Sequence, residues 1–214
     1  MVDAKGTGHR AGLDSAGVIE AALALVEAGG AEALTMRKLA AELGVATTTI
    51  YWHVGSRDEL ISALIGLLSQ RQAEIEISGK TPRDRVMCLA RHVWTSALAH
   101  RNVTALAHQV GATSLLELPL EQALARELDA AGVRGEAGRD ALRAIVMCVA
   151  GFLVVAFRSD GRARAMQTQP QELWATVSDD RIDPSTIEAL RTPPDLPALF
   201  ETTLRAVVDT FVPE

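Results

Sequence analysis

The 214-residue sequence predicts an all-α protein. Only 4% of the residues are aromatic, and alanine and leucine supply most of the apolar side chains, a composition that favours helices over strands. Apolar residues recur at intervals of three and four, and no segment alternates apolar and polar residues as a half-buried strand would. With 48% hydrophobic residues, a chain of this length can bury a large core.

Capping residues mark the first helices. Residues 1–12 contain three glycines and no periodicity, so we expect a flexible arm there. Helix 1 is expected to follow Asp14, whose carboxylate can accept hydrogen bonds from first-turn amides, and to end at Gly29 and Gly30. A second helix is expected to open at Thr35 and a short third one at Ala46, with a glycine turn between them.

The later helices are predicted in the same way. Ser56 and Glu59 form a capping box that opens helix 4, and Thr81 with Pro82 opens helix 5. The remaining helices are expected at about 82–100, 103–109, 119–131 and 135–158, with two more beginning at Asp183-Pro184 and Asp195-Leu196-Pro197. The predicted regions are therefore an arm over 1–12, a helix-turn-helix domain over 13–55, a linking helix over 56–77 and a C-terminal domain over 78–214.

The longest apolar run covers residues 144–157, which is too short to cross a bilayer as a helix. We expect it to be a buried core helix, covered on all sides, and the polar N-terminus is not a secretory signal. A soluble, cytoplasmic protein follows from these features. Cys88 and Cys148 allow a disulfide, but buried thiols in a reducing compartment are the favoured interpretation.

Two short helices joined by a turn at Gly44, with a third helix in front, fit the helix-turn-helix plan. Its shared core is expected to contain Leu39, Leu43, Val45, Ile50 and Val54. The outer face of the third helix then carries side chains that can enter a major groove, namely Thr47, Thr48, Thr49, Tyr51 and Trp52.

Other side chains near this helix suit contacts with phosphates, namely Thr35, Tyr51, His53 and Arg57. Arg37 is the candidate for reading a guanine. The alternative is that the threonines form a solvated face and the aromatic residues belong to the core. The net charge of the chain is −6 and that of residues 1–57 is −1, so DNA binding must come from where the charges sit and not from a basic domain.

The sequence resembles the tetracycline-repressor (TetR) family over residues 14–64. The resemblance is carried by residues 34–45 (LTMRKLAAELGV), 49–54 (TIYWHV) and 58–60 (DEL), and the tetrad YWHV points to the subgroup that contains the tetracycline repressors themselves. Residues 99–102 and 141–151 are similar to that subgroup more loosely.

The resemblance implies a homodimer that binds a palindromic operator and is released by a small molecule. The helix over 135–158 and the last helix would form the dimer bundle, although a purely intramolecular core is the alternative. Helix 4 would be the lever between the domains. Tetracycline repressors hold a drug–magnesium chelate, but Val155 aligns with their acidic residue, and Leu89 and Val93 with polar and aromatic drug contacts. These departures predict a less polar effector without a metal.

The effector pocket is expected in the C-terminal domain. Leu89, Val93, Ser96 and His100 share a face of helix 5 with Trp94 nearby, and other residues are expected to join them, namely His108, Gln109, Met147, Phe152 and Trp174. For each of them, packing in the core is the alternative to ligand contact.

No cofactor or metal site is expected, because His92, His100 and His108 do not share a helix face and no hydrolase or nucleotide-binding motif occurs. Two hypotheses remain: a ligand-responsive DNA-binding repressor, or an all-α small-molecule-binding protein or enzyme whose N-terminal helices are only scaffold.

Overall fold

The computed structural model describes residues 13–158 and 170–213. Within these ranges the chain forms helices and no strand, which confirms the all-α prediction. The predicted arm over 1–12 lies outside the described residues. The helices are α1 (Ser15–Gly29), α2 (Met36–Leu43), α3 (Thr47–Val54), α4 (Arg57–Ala73), α5 (Pro82–Ala99), α6 (Arg101–Gln109), α7 (Thr113–Ala130), α8 (Gly135–Arg158), α9 (Pro170–Trp174), α10 (Pro184–Leu190) and α11 (Leu196–Phe211), with a short 3₁₀ turn at Ala31–Ala33.

The capping residues act as the sequence predicts. The Asp14 carboxylate accepts a hydrogen bond from the Gly17 amide at 2.8 Å, and the Thr35 hydroxyl accepts one from the Lys38 amide at 3.2 Å. At the start of α4, the Ser56 hydroxyl and the Glu59 carboxylate each accept from the other residue's amide, at 3.2 and 2.6 Å. Each cap satisfies amides that have no partner inside the helix, and so fixes where the helix begins.

Two elements differ from the prediction. Helix α7 begins at Thr113 and not at residue 119, so Pro119 lies inside the helix. The prediction was wrong because proline is favoured in the first turn of a helix, and here the helix continues through it. The segment between residues 158 and 183, in which no helix is predicted, contains the short helix α9; residues 159–169 lie outside the described part of the chain.

The helices form two compact units. The first comprises the described residues up to Ile75 together with His100–Pro119. Its core joins α1 to α6, because Val103, Leu106 and Ala107 pack in one cluster with Val18 and Ala22. From the sequence, residues 100–119 are expected in the C-terminal region. They pack with the N-terminal helices because the apolar face of α6 has its complement on α1.

The second unit comprises Glu76–Ala99 and the described residues from Leu120 onward. In it, α8 packs against α5 and α11. Ion pairs join Arg85 to Glu127 on α7 at 2.6 Å, Arg143 on α8 to Glu121 on α7 at 2.8 Å, and Arg91 on α5 to Glu201 on α11.

Helix α8 is not the buried core helix that the sequence predicts. Only 17% of the most apolar 18-residue stretch of α8 is buried, although the mean hydropathy of the segment Gly135–Phe157 is 2.1. By length and composition alone this segment matches a membrane-crossing helix, which is weak evidence, because core helices of soluble proteins pass the same test. The buried side is limited to one narrow stripe that includes Ala141, Ile145 and Val149. Cys88 and Cys148 are free and half-buried.

Candidate functional site

The first unit contains a helix-turn-helix built from α2 and α3. Gly44 ends α2 with a φ of 65°, a left-handed conformation that glycine adopts without steric cost, and this turn directs the chain into α3. Leu39 and Ile50 are completely buried between the helices. The other predicted core residues, Leu43, Val45 and Val54, pack partly buried against the same cluster.

The outer face of α3 is open to solvent. Trp52 has 82% of its surface exposed and Tyr51 has 51%, values that are unusual for large aromatic side chains. Thr48 is exposed, while Thr47 and Thr49 are half-buried. A helix that buries Ile50 and leaves two aromatic rings in solvent presents a candidate interaction surface. The alternative of a core role for these aromatic residues is therefore disfavoured.

Cationic side chains flank this face. Arg37 and Lys38 are exposed in the first turn of α2, and Arg57 is exposed at the start of α4. The Arg57 Nε donates to the Leu34 carbonyl at 3.4 Å, a contact that orients its guanidinium while the terminal nitrogens take no part in it. The Thr35 hydroxyl is engaged as a helix cap, so it positions α2.

Two supporting residues escape sequence reasoning. The Ser15 hydroxyl donates to the His53 carbonyl at 2.8 Å and ties the start of α1 to the last turn of α3. Gly55, with a φ of 68°, leaves room for the Glu59 carboxylate, which a Cβ at that position would meet. The hydrogen bonds from the Ser56 amide and hydroxyl lower the pKa of Glu59. Sequence carries no signal for the Ser15 bond, which joins residues 38 positions apart.

The second unit holds most of the candidate effector residues. Trp94 stacks on Phe200 with 4.6 Å between ring centroids, and Phe152 packs edge-on against both. Leu89 is completely buried on α5, Ser96 is buried, and Val93 is half-buried. These residues are brought together by the packing of α5 against α8 and α11.

Three candidate effector residues lie in the first unit instead. His100 Nδ1 is 2.8 Å from the Glu27 carboxylate of α1, and His108 and Gln109 are exposed at the end of α6. Met147 is in the second unit, but 70% of its surface is exposed. Trp174 lies half-buried on α9. Contact of any of these residues with an effector stays a prediction.

His92 is a polar residue of α5 that lies outside the predicted effector and DNA-contacting residues. Its Nε2 is buried and has no hydrogen-bond partner in the described part of the chain. Burial lowers the pKa of His92, because a charged imidazolium loses its hydration there. Among the described residues, no group of three or more histidine, cysteine, aspartate or glutamate side chains is arranged to hold a metal ion.

Helices α8 and α11 share an exposed, largely apolar surface. On α8 the exposed residues recur at helical spacing, namely Met147, Ala150, Gly151, Val154 and Val155, and on α11 they include Leu199, Thr202 and Ala206. The opposite sides of the two helices are buried against each other, through residues such as Val149 and Leu204. We call this exposed surface the α8/α11 face.

The helix-turn-helix region matches a known family model. Residues 18–64 match the model described as bacterial regulatory proteins, tetR family. A region of 91 residues is 33% identical to an HTH-type transcriptional regulator of Saccharopolyspora erythraea and covers 38% of each chain. A region of 52 residues is 46% identical to the class D tetracycline repressor of Escherichia coli and covers 24% of each chain. The chain thus matches less than two fifths of the length of these two relatives.

Solved structures resemble the chain over most of its length. A TetR regulator of Streptomyces coelicolor superposes with a TM-score of 0.74, at 21% identity, over 94% of this chain and 98% of that chain. ActR of the same organism, in complex with (S)-DNPA, gives a TM-score of 0.67 at 21% identity, over 94% and 98% of the two chains. At this level of identity the likeness shows a shared fold, and it extends beyond the helix-turn-helix to the C-terminal region.

Proposed function

We propose that this chain, whose residues 18–64 match the model of the tetR family of bacterial regulatory proteins, is a ligand-responsive transcriptional repressor of that family. It acts as a cytoplasmic homodimer on a palindromic operator and leaves the DNA when a small effector binds. The observation that carries the proposal is the exposed outer face of α3, where Tyr51 and Trp52 stand in solvent above the buried Ile50.

Each reading helix is short, since α3 has only eight residues. One such helix contacts too few bases for useful affinity, so two copies must read two half-sites. The α8/α11 face supports this requirement, because its apolar side chains need a cover that residues 13–158 and 170–213 do not provide. A second copy, placing the same face against it, is the simplest cover.

The effector is proposed to be a small, largely apolar molecule held without a metal in the second unit. Its support is the apolar and aromatic cluster that contains the buried Leu89 and Trp94 and the half-buried Phe152. Two structures of ActR, a protein of similar fold, are complexes with (S)-DNPA and with actinorhodin. The effector acts by its difference in affinity for the DNA-binding state and the released state.

A mobility-shift titration with the DNA upstream of the chain's own gene tests the proposal. We expect binding that weakens with salt and is lost when one half of a palindrome is scrambled, because both half-sites are needed. A scrambled fragment of equal length is the control. Equal binding to both fragments, or to neither, would contradict the proposal and favour a small-molecule-binding protein or an enzyme whose N-terminal helices are scaffold.

A further inference from the structure

Pro119 is the seventh residue of α7, where a proline is costly. In an α-helix the amide of residue 119 would donate to the carbonyl of Leu115, but proline has no N–H. The Leu115 carbonyl therefore lacks its helical donor. Pro119 is also the last residue of the first compact unit, so the missing hydrogen bond lies where α7 leaves that unit.

Ser69 of α4 supplies a donor to this carbonyl. Its hydroxyl donates to the Leu115 oxygen at 3.0 Å, and only 6% of the Ser69 surface is exposed. Hydroxyls inside helices often bond the carbonyl four residues earlier in their own helix, as Thr95 does in α5. Ser69 instead reaches a different helix, so the bond joins α4 to α7.

The rest of this contact is apolar. Ile65 and Leu68 of α4 and Leu116 of α7 are buried in the same cluster. Apolar packing has no direction, so it alone does not hold α4 at one register along α7. One buried hydrogen bond does, because moving α4 would leave both the hydroxyl and the carbonyl without a partner.

We infer that Ser69 and Pro119 are positioning residues for operator binding: Pro119 frees the Leu115 carbonyl, and Ser69 uses it to fix α4. Helix α4 starts at Arg57, directly after the reading helix and its two-residue connection. Ser69 lies twelve residues further on, about 18 Å along a rigid helix, so the register of α4 at Ser69 sets the position of α3. The inference rests on the proposed function.

Three variants test it: S69A, P119A and the double variant S69A/P119A. In P119A the new amide at position 119 also donates to the Leu115 carbonyl, so the Ser69 hydroxyl shares its acceptor with an amide of α7 and its own hydrogen bond is weakened. We expect P119A to melt at a higher temperature than the wild type, yet to bind the upstream DNA at least fivefold more weakly. S69A should also bind at least fivefold more weakly, and the double variant should bind no more weakly than P119A.

T95A is the matched control, because it removes a hydroxyl that bonds only within its own helix. It should bind DNA as the wild type does. An operator Kd of P119A within twofold of the wild type, or losses that multiply in the double variant, would overturn the inference. P119A keeps the test decisive even where S69A fails to fold. Absence of DNA binding by the wild type would instead refute the proposed function itself.

Discussion

Replacing Val154 by glutamate is expected to break the proposed dimer. Val154 lies on the α8/α11 face with 50% of its surface exposed. Full burial of a valine side chain is worth about 1.5–3 kcal/mol, so covering the exposed half contributes about 1 kcal/mol in each copy. A twofold interface contains the residue twice, which gives about 2 kcal/mol. The dimer Kd should therefore rise at least about 30-fold, and the buried carboxylates raise it further.

Sedimentation velocity over a range of protein concentrations measures this Kd, and mobility shift measures the accompanying loss of operator binding. The control is Leu190→Glu, which places the same charge at a leucine of α10 that is 39% exposed and lies outside the α8/α11 face. V154E should dissociate while L190E remains a dimer. An unchanged dimer Kd in V154E, or equal dissociation of both variants, would refute the assignment of the interface.

Three further outcomes follow. Arg37→Ala should weaken operator binding by about 1–3 kcal/mol, whereas Arg134→Ala should not. If mobility shift shows that Arg37→Ala binds as tightly as the wild type, the assigned base contact is wrong. Because hydrogen bonds lower the pKa of Glu59, its contribution to stability is present above pH 4.5 and fades as the pH falls further, so E59Q should lose less stability on acidification. Burial lowers the pKa of His92, so stability should decline as the pH falls below 6.5, and urea unfolding of H92Q should lack part of this decline.

Local signals made the fold of the helix-turn-helix predictable. Asp14, Thr35 and Ser56 act on amides within three residues, so sequence alone locates the helix starts. Gly44 is likewise a local signal, because glycine can adopt the left-handed conformation of this turn wherever it occurs. The fold of the helix-turn-helix therefore follows from short-range chemistry together with the 3.6-residue period.

Long-range contacts limited the rest of the prediction. The attachment of α6 to α1 depends on which apolar faces meet, and the Ser69 bond depends on a carbonyl 46 residues away. The burial of α8 was overestimated for a related reason. A helix that is apolar all round requires cover, but the sequence does not say whether the same chain supplies it, and Met147 is mostly exposed.

The small number of cations around α3 determines how strongly salt should weaken DNA binding. The described surface around α3 offers three cations, Arg37, Lys38 and Arg57, or six in a dimer. If each neutralises one phosphate, the logarithm of the binding constant falls with the logarithm of salt concentration with a slope of about −5. Titrations at several salt concentrations measure this slope. A clearly steeper slope would contradict the three-cation site and would assign phosphate contacts to other cations, such as Lys5 and Arg10. Alanine variants of those residues would then return the slope to about −5. A slope near −5 would mean that placement of a few charges, and not overall charge, supports operator binding by an acidic protein.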